Sequence, residues 1–261
     1  MDRCCENSSS KNQFLRIGEN FTCTKKVDYN PMLVMLPGLI CDASIYAPQS
    51  AAFGDSLAVE GYGLCDSLPA MADIVLEQAP GRFALFGHSM GGRVALEVYR
   101  KAPERVTHLA LVSTGIHPLG ENEPASRAAL QQVGYDNGFE ALVDQWLPPM
   151  VAQANRTNPA IYDPLKAMCM RHSQAQFDAQ IQALLARPEV KSLLPQITCP
   201  TLVMTGSEDG WAPPAQHEGI ASAIPHSELV IAEGAGHMIQ IEAPDAVNAA
   251  ITDWLGRSVT I

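Results

Sequence analysis

The chain has 261 residues, 47% of them hydrophobic, enough to bury a sizeable core in one large domain or two small ones. A formal net charge of -11 leaves no basic stripe to neutralise phosphates, which argues against nucleic acid and anionic membranes as partners and favours a small neutral or hydrophobic ligand. The seven cysteines are odd in number and scattered without a CxxC spacing, which excludes a zinc or dithiol motif and reads as the reduced thiols of a cytoplasmic protein.

The opening stretch MDRCCENSSSKNQ carries charge, Ser and Asn where a secretory leader needs an apolar centre, so residues 1–13 read as a flexible tail. Residues 14–116 read as the first part of a core. Phe14 to Tyr29 is long enough for one or two short strands. Three short apolar runs follow, Met32–Leu36, Phe83–Phe86 and Leu109–Val112, and their lack of alternation predicts strands covered on both faces. A helix is predicted from Met90 to Arg100-Lys101, with cations in its last turn and Pro103 just beyond it.

From His117 to Pro195 the rhythm changes. Amphipathic pieces such as PASRAALQQV, GFEALVDQWL and SQAQFDAQIQALLA are punctuated by prolines, with no strand-like run, so residues 117–195 are expected to be a helical cap inserted over one edge of the sheet. This insertion could be a lid or a dimer surface, and the oligomeric state stays open. Residues 196–261 return to the core pattern, with strands at Leu202–Met204 and Leu229–Ala232. The last helix starts at Pro244, and its apolar residues Val247, Ala250, Ile251, Trp254 and Leu255 mark one buried face. Strand and helix in this alternation predict an α/β fold, a mostly parallel central sheet with helices on both faces. No run approaches membrane-spanning length.

The chemistry is suggested by Gly87-His88-Ser89-Met90-Gly91, which lies between a buried strand and a helix. A serine on such a turn has its hydroxyl pushed outward, and small neighbours are required where strand and helix close on each other. The helix start leaves unpaired N–H groups, so the Met90 amide is a candidate to bind a developing oxyanion. A serine hydroxyl also needs a base and an orienting acid, sought at the ends of later strands. The turns TGSEDGW and EGAGHM supply Asp209 and His237 in the chain order Ser, Asp, His. Glu208 adjoins Asp209 and is an alternative acid in the other register. His88 is the histidine nearest the serine, but its place in the turn aims it elsewhere. Trp146, Met150, Met168, Met170 and Trp211 could line a pocket or simply pack the core. No His, Cys, Asp or Glu cluster has metal-ligand spacing, and no glycine-rich loop matches a phosphate cradle.

Together with APERVTHLALVS, ITCPTLVMTGSEDGWAPP and EGAGHMIQIEAPDAVNAAITDWL, this turn makes residues 31 to 256 resemble the α/β-hydrolase family, in its small, capped, cofactor-free form. The resemblance implies Ser89 as nucleophile, His237 as base, Asp209 as its orienting acid, and no cofactor or metal. In that family a second oxyanion donor is the amide after the glycine of a strand-end HG turn. The turn here reads LPGLICD, with Pro37 in place of His, so the resemblance points to Leu39. Two features depart from the pattern: only Phe14 to Tyr29 is available for the antiparallel strands that usually open the fold, and EGYGLCDS replaces the usual D-x-x-G-x-G-x-S loop. The stretch LARPEVKSLLPQITCPTLVMTG is most similar to the 3-oxoadipate enol-lactonase-like and carboxylesterase group, which implies a small ester or lactone as substrate. The same scaffold hosts thioesterases, C–C bond hydrolases and slow ligand receptors, which remain alternatives.

Overall fold

The computed structural model describes residues 31–258. The tail read at 1–13, the strands expected between Phe14 and Tyr29, and Cys4, Cys5 and Cys23 lie outside the described residues. The elements in chain order are β1 (Leu33–Leu36), α1 (Ala47–Ala52), β2 (Ser56–Ala58), α2 (Leu68–Gln78), β3 (Phe83–His88), α3 (Met90–Lys101) and β4 (Val106–Val112). Then come α4 (Glu123–Asn137), α5 (Phe139–Trp146), α6 (Pro159–Met170) and α7 (Gln174–Leu185). The chain closes with β5 (Thr201–Gly206), α8 (Pro214–Ala223), β6 (Ser227–Ala232), α9 (Ile239–Glu242) and α10 (Pro244–Leu255).

The six strands form one sheet in the order β2-β1-β3-β4-β5-β6, and every pairing is parallel. Parallel neighbours need crossovers, and helices supply them, with α2 packed on α3 and α1 on α10. The central strands β1, β3 and β5 are buried at every residue, which is why their sequences run apolar without alternation.

Two elements differ from the sequence reading. β2 has only Ser-Leu-Ala to announce it and is half-buried, the outermost strand on its side among the described residues, so it carries no apolar run. The run Leu229–Ala232 reads like the other core strands, yet β6 is the outermost strand on the opposite side among the described residues, with Glu228 and Ile231 exposed. Its apolar content comes from packing on one side and on β5, while the free edge stays wet. Between β4 and β5 the chain is helical throughout its regular structure. Among the described residues no helix is long and apolar enough to cross a membrane, and Cys41, Cys65, Cys169 and Cys199 are free thiols.

Candidate active site

Because all strands run the same way, the turns after β3, β5 and β6 open on one edge of the sheet. Ser89 follows β3 with φ 55 and ψ -118, a left-handed conformation held by its surroundings. The turn is tight: a Cβ on Gly87 would strike the Gly91 carbonyl, and one on Gly91 would strike the Leu36 carbonyl. The Ser89 backbone is fixed further by its amide donating to Val112 O at 2.9 Å and by Thr114 Oγ1 donating to Ser89 O at 2.7 Å.

Ser89 Oγ lies 2.9 Å from His237 Nε2, and His237 Nδ1 lies 2.9 Å from Asp209 Oδ2. His237 and Asp209 are buried, so the chain of three is shielded from water on the acid side. The other Asp209 oxygen, Oδ1, accepts the Trp211 and Ala212 amides at 2.9 and 2.8 Å. Burial alone would push the Asp209 carboxyl up, but the His237 charge, the His237 ring bond and the two amides outweigh it and bring it down to about 2. Asp209 is therefore an acceptor at both oxygens near neutral pH, which assigns the proton to His237 Nδ1 and leaves Nε2 free to accept from Ser89. Glu208 faces outward, and among the described residues its carboxylate accepts only the Gln153 amide, at 3.3 Å.

Met90 and Leu39 line the same cavity as Ser89. Met90 opens α3, where the first amides have no partner inside the helix. Leu39 sits in the turn after β1, and the next amide, Ile40 N–H, is tied to Gln180 Oε1 at 2.8 Å. Of the four non-glycine residues with positive φ among the described residues, Ile40, Ser89 and Ser113 all lie at this edge, where strain is held by the packing around it.

The histidine turn is braced by His88, which the sequence reading aimed away from Ser89, and by groups that reading did not single out. His88 is buried, and its Nε2 donates to the His237 carbonyl at 2.9 Å. Burial first, then His237, pushes the His88 ring down to about 3, so it is a neutral donor. The His237 amide donates to Met150 O at 2.9 Å, and Glu242 accepts from the Met238 and Ala152 amides at 3.1 and 2.8 Å. His217 is buried too, accepting the Thr114 amide at Nε2 over 3.1 Å.

Of the apolar residues considered as pocket lining, Trp146, Met150 and Trp211 do face the cavity at Ser89, while Met168 is buried elsewhere and Met170 is partly exposed. The cavity is far more polar than expected. Arg93, Arg127, Arg187 and Glu123 all line it. Arg93 could have been found from its position four residues after Ser89 on a helix; Arg127, Arg187, Gln180 and Glu242 left no comparable signal. Among the described residues no group of three His, Cys, Asp or Glu could hold a metal ion.

Comparison with known proteins agrees with this architecture. A family model described as "Alpha/beta hydrolase family" matches residues 29–250. A pimeloyl-acyl-carrier-protein methyl ester esterase of Yersinia enterocolitica is 30% identical over 203 residues, 74% of this chain and 77% of that protein. The solved structure of a thermophilic esterase from Thermogutta terrifontis is similar with a TM-score of 0.77 and 26% identity, over 86% of this chain and 89% of that one. An enol-lactonase from Burkholderia xenovorans shares the fold, with a TM-score of 0.76 and 24% identity over 87% of this chain and 92% of the other.

Proposed function

The chain belongs to the alpha/beta hydrolase family and is an esterase-type hydrolase; on that premise we propose that Ser89, His237 and Asp209 are its catalytic triad and that it cleaves a small carboxylic ester or lactone through an acyl-enzyme. The observation that carries this reading is the unbroken line of contacts from Ser89 Oγ through both ring nitrogens of His237 to Asp209, with 2.9 Å at each step.

In the proposed sequence, His237 Nε2 takes the Ser89 proton as Oγ attacks the carbonyl carbon, and the imidazolium is stabilised by Asp209. The amides of Met90 and Leu39 receive the oxyanion. His237 then gives the proton to the leaving alkoxide, and the same ring activates water to release the acid. Each proton taken is returned, so the protein ends the cycle unchanged and no metal is called upon. Residues 117–195 would act as the cap over the acyl pocket, since Trp146, Met150 and Leu184 contribute to its wall. The named relative at 30% identity is a methyl ester esterase, which favours an ester over a thioester or C–C bond as the first substrate class to test.

The test is hydrolysis of p-nitrophenyl esters from acetate to octanoate by wild type and Ser89→Ala, with uptake of a fluorophosphonate followed by intact mass. Wild type should turn over and take up one label, and Ser89→Ala should lose both, with a rate loss of at least ~1,000-fold. An unlabelled wild type that cleaves none of the esters would refute the assignment of Ser89.

A further inference from the structure

The peptide bond between Ser89 and Met90 is one rigid plane, so the Ser89 carbonyl and the Met90 N–H point in opposite directions and cannot turn independently. Whatever grips the carbonyl also aims the amide. Gly92 N–H donates to Ser89 O at 3.0 Å from within the first turn of α3, and Thr114 Oγ1 donates to the same oxygen at 2.7 Å from outside that helix. Thr114 is buried in the loop after β4, packed so closely on α3 that a Cβ on Gly92 would fall 2.7 Å from Thr114 Oγ1. Ser89 needs this second grip, because φ 55 and ψ -118 are costly for a residue with a Cβ and persist only where neighbours hold them.

Thr114 is itself held. Its amide donates to His217 Nε2 at 3.1 Å, and His217 Nδ1 donates to the Pro213 carbonyl at 3.3 Å. An amide only donates and a carbonyl only accepts, so both neighbours demand the same neutral tautomer, with the proton on Nδ1. Burial favours that form by pushing the ring below the ordinary histidine range. His217 stands on α8, just after the turn that carries Asp209. A path from the Asp209 turn to the Ser89 carbonyl therefore runs through Pro213, His217 and Thr114, separate from the one through the His237 ring.

We propose that Thr114, locked by His217, is a positioning residue that aims the Met90 amide at the oxyanion through the Ser89–Met90 peptide plane. The proposal rests on the hydrolase reading above, in which the Met90 amide receives that charge, and it adds two residues to that machinery. A correctly aimed amide gains most when negative charge gathers on the carbonyl oxygen, after the substrate has bound. Its contribution therefore belongs to kcat rather than to KM.

The test compares Thr114→Val, which keeps the shape and removes the hydroxyl, with Thr114→Ser, which keeps the hydroxyl. Hydrolysis of p-nitrophenyl butyrate is measured beside inhibition by trifluoromethyl propyl ketone. Ser89 Oγ adds to that ketone, its proton passes to His237 Nε2, the C=O electron pair becomes an oxyanion, and no group leaves. Thr114→Val should lower kcat about 10- to 100-fold with KM within about twofold, a smaller loss than the ~100- to 1,000-fold of removing an oxyanion donor outright. It should weaken the ketone by the same factor as kcat/KM, since both report the charged tetrahedral state. Thr114→Ser should recover kcat to within about threefold of wild type. His217→Leu should repeat the Thr114→Val pattern, and His217→Gln, whose side-chain oxygen accepts the Thr114 amide, should repeat the rescue; this second pair decides if Thr114→Val melts below the assay temperature. Thr114→Val overturns the proposal if it keeps kcat within about threefold, or if it loses kcat yet binds the ketone as wild type does. Thr114→Ser overturns it by losing as much as Thr114→Val. A wild type that takes up no fluorophosphonate and cleaves no ester fails the hydrolase reading itself, whereas a labelled, active wild type matched by Thr114→Val fails the positioning role alone.

Discussion

Replacing Asp209 by Asn separates the shape of the proposed triad from its proton order. The side chain keeps its size, and its two polar ends must choose between two environments. On one side the Trp211 and Ala212 amides both donate, at 2.9 and 2.8 Å. On the other sits His237 Nδ1, at 2.9 Å. Turning the Asn amide nitrogen toward the two backbone N–H groups would leave two buried donors unpaired, at about 1–3 kcal/mol each. The amide oxygen therefore stays with the backbone, and the nitrogen faces His237. A donor now meets Nδ1, so the ring shifts its proton to Nε2, which then points an N–H at Ser89 Oγ and cannot accept its proton. The expected loss is on the order of 10,000-fold in kcat, about 5 kcal/mol of barrier, with KM little changed. The assay is ester hydrolysis beside Glu208→Gln, whose side chain is exposed and accepts the Gln153 amide, and which should stay within roughly threefold of wild type. An Asp209→Asn protein that keeps its rate within about tenfold, or a Glu208→Gln protein that loses it, would refute the proton order argued here.

Gln180→Leu strands the buried Ile40 amide, whose one partner is Gln180 Oε1 at 2.8 Å. The cost should be about 1–3 kcal/mol, read as a fall in melting temperature, with kcat falling more than KM changes because the Leu39 turn loses its anchor; an unchanged melting temperature would count against it. In acid, burial tends to raise the Glu123 carboxyl, but hydrogen bonds from Arg187 and then Arg127 hold it at about 2 against an ordinary 4.5, and Asp209 is likewise held at about 2 against 3.8. Both folded values are depressed, so their stabilisation is complete above about pH 4.5 and is lost as the pH falls through about 2. Melting temperature should drop across that window, and less steeply in Glu123→Gln; identical slopes would remove Glu123 from the account.

What was legible in the sequence follows from how local each signal is. Strands β1, β3 and β5 announce themselves because total burial demands unbroken apolar runs. α10 is legible for a related reason, since Val247, Ala250, Ile251 and Trp254 are its buried face. β2 is three half-buried residues, so nothing in Ser-Leu-Ala distinguishes it from loop. The residues around Ser89 divide in the same way. Ser89, Asp209 and His237 each follow a strand, and parallel order carries strand ends to one edge, so topology alone gathers them. Gln180 meets Ile40 across 140 positions of sequence. Arg187 meets Glu123 across 64. No periodicity reports such pairs, because neither partner's neighbours know of the other.

Several other distant contacts join residues 117–195 to the rest of the chain close to Ser89 and His237. The His237 amide is held by Met150, Glu242 beside it is held to Ala152 and Asn155, and Ile40 is held by Gln180. Arg93 reaches the His117 carbonyl. A cover that merely closed over a finished site would need none of these bonds. Here the backbone of the histidine turn and of the Leu39 turn is satisfied by Met150 and Gln180. Opening residues 117–195 as a rigid body would strand several buried donors at about 1–3 kcal/mol each. Access to Ser89 is therefore expected with residues 117–195 in place, and not by lifting them away.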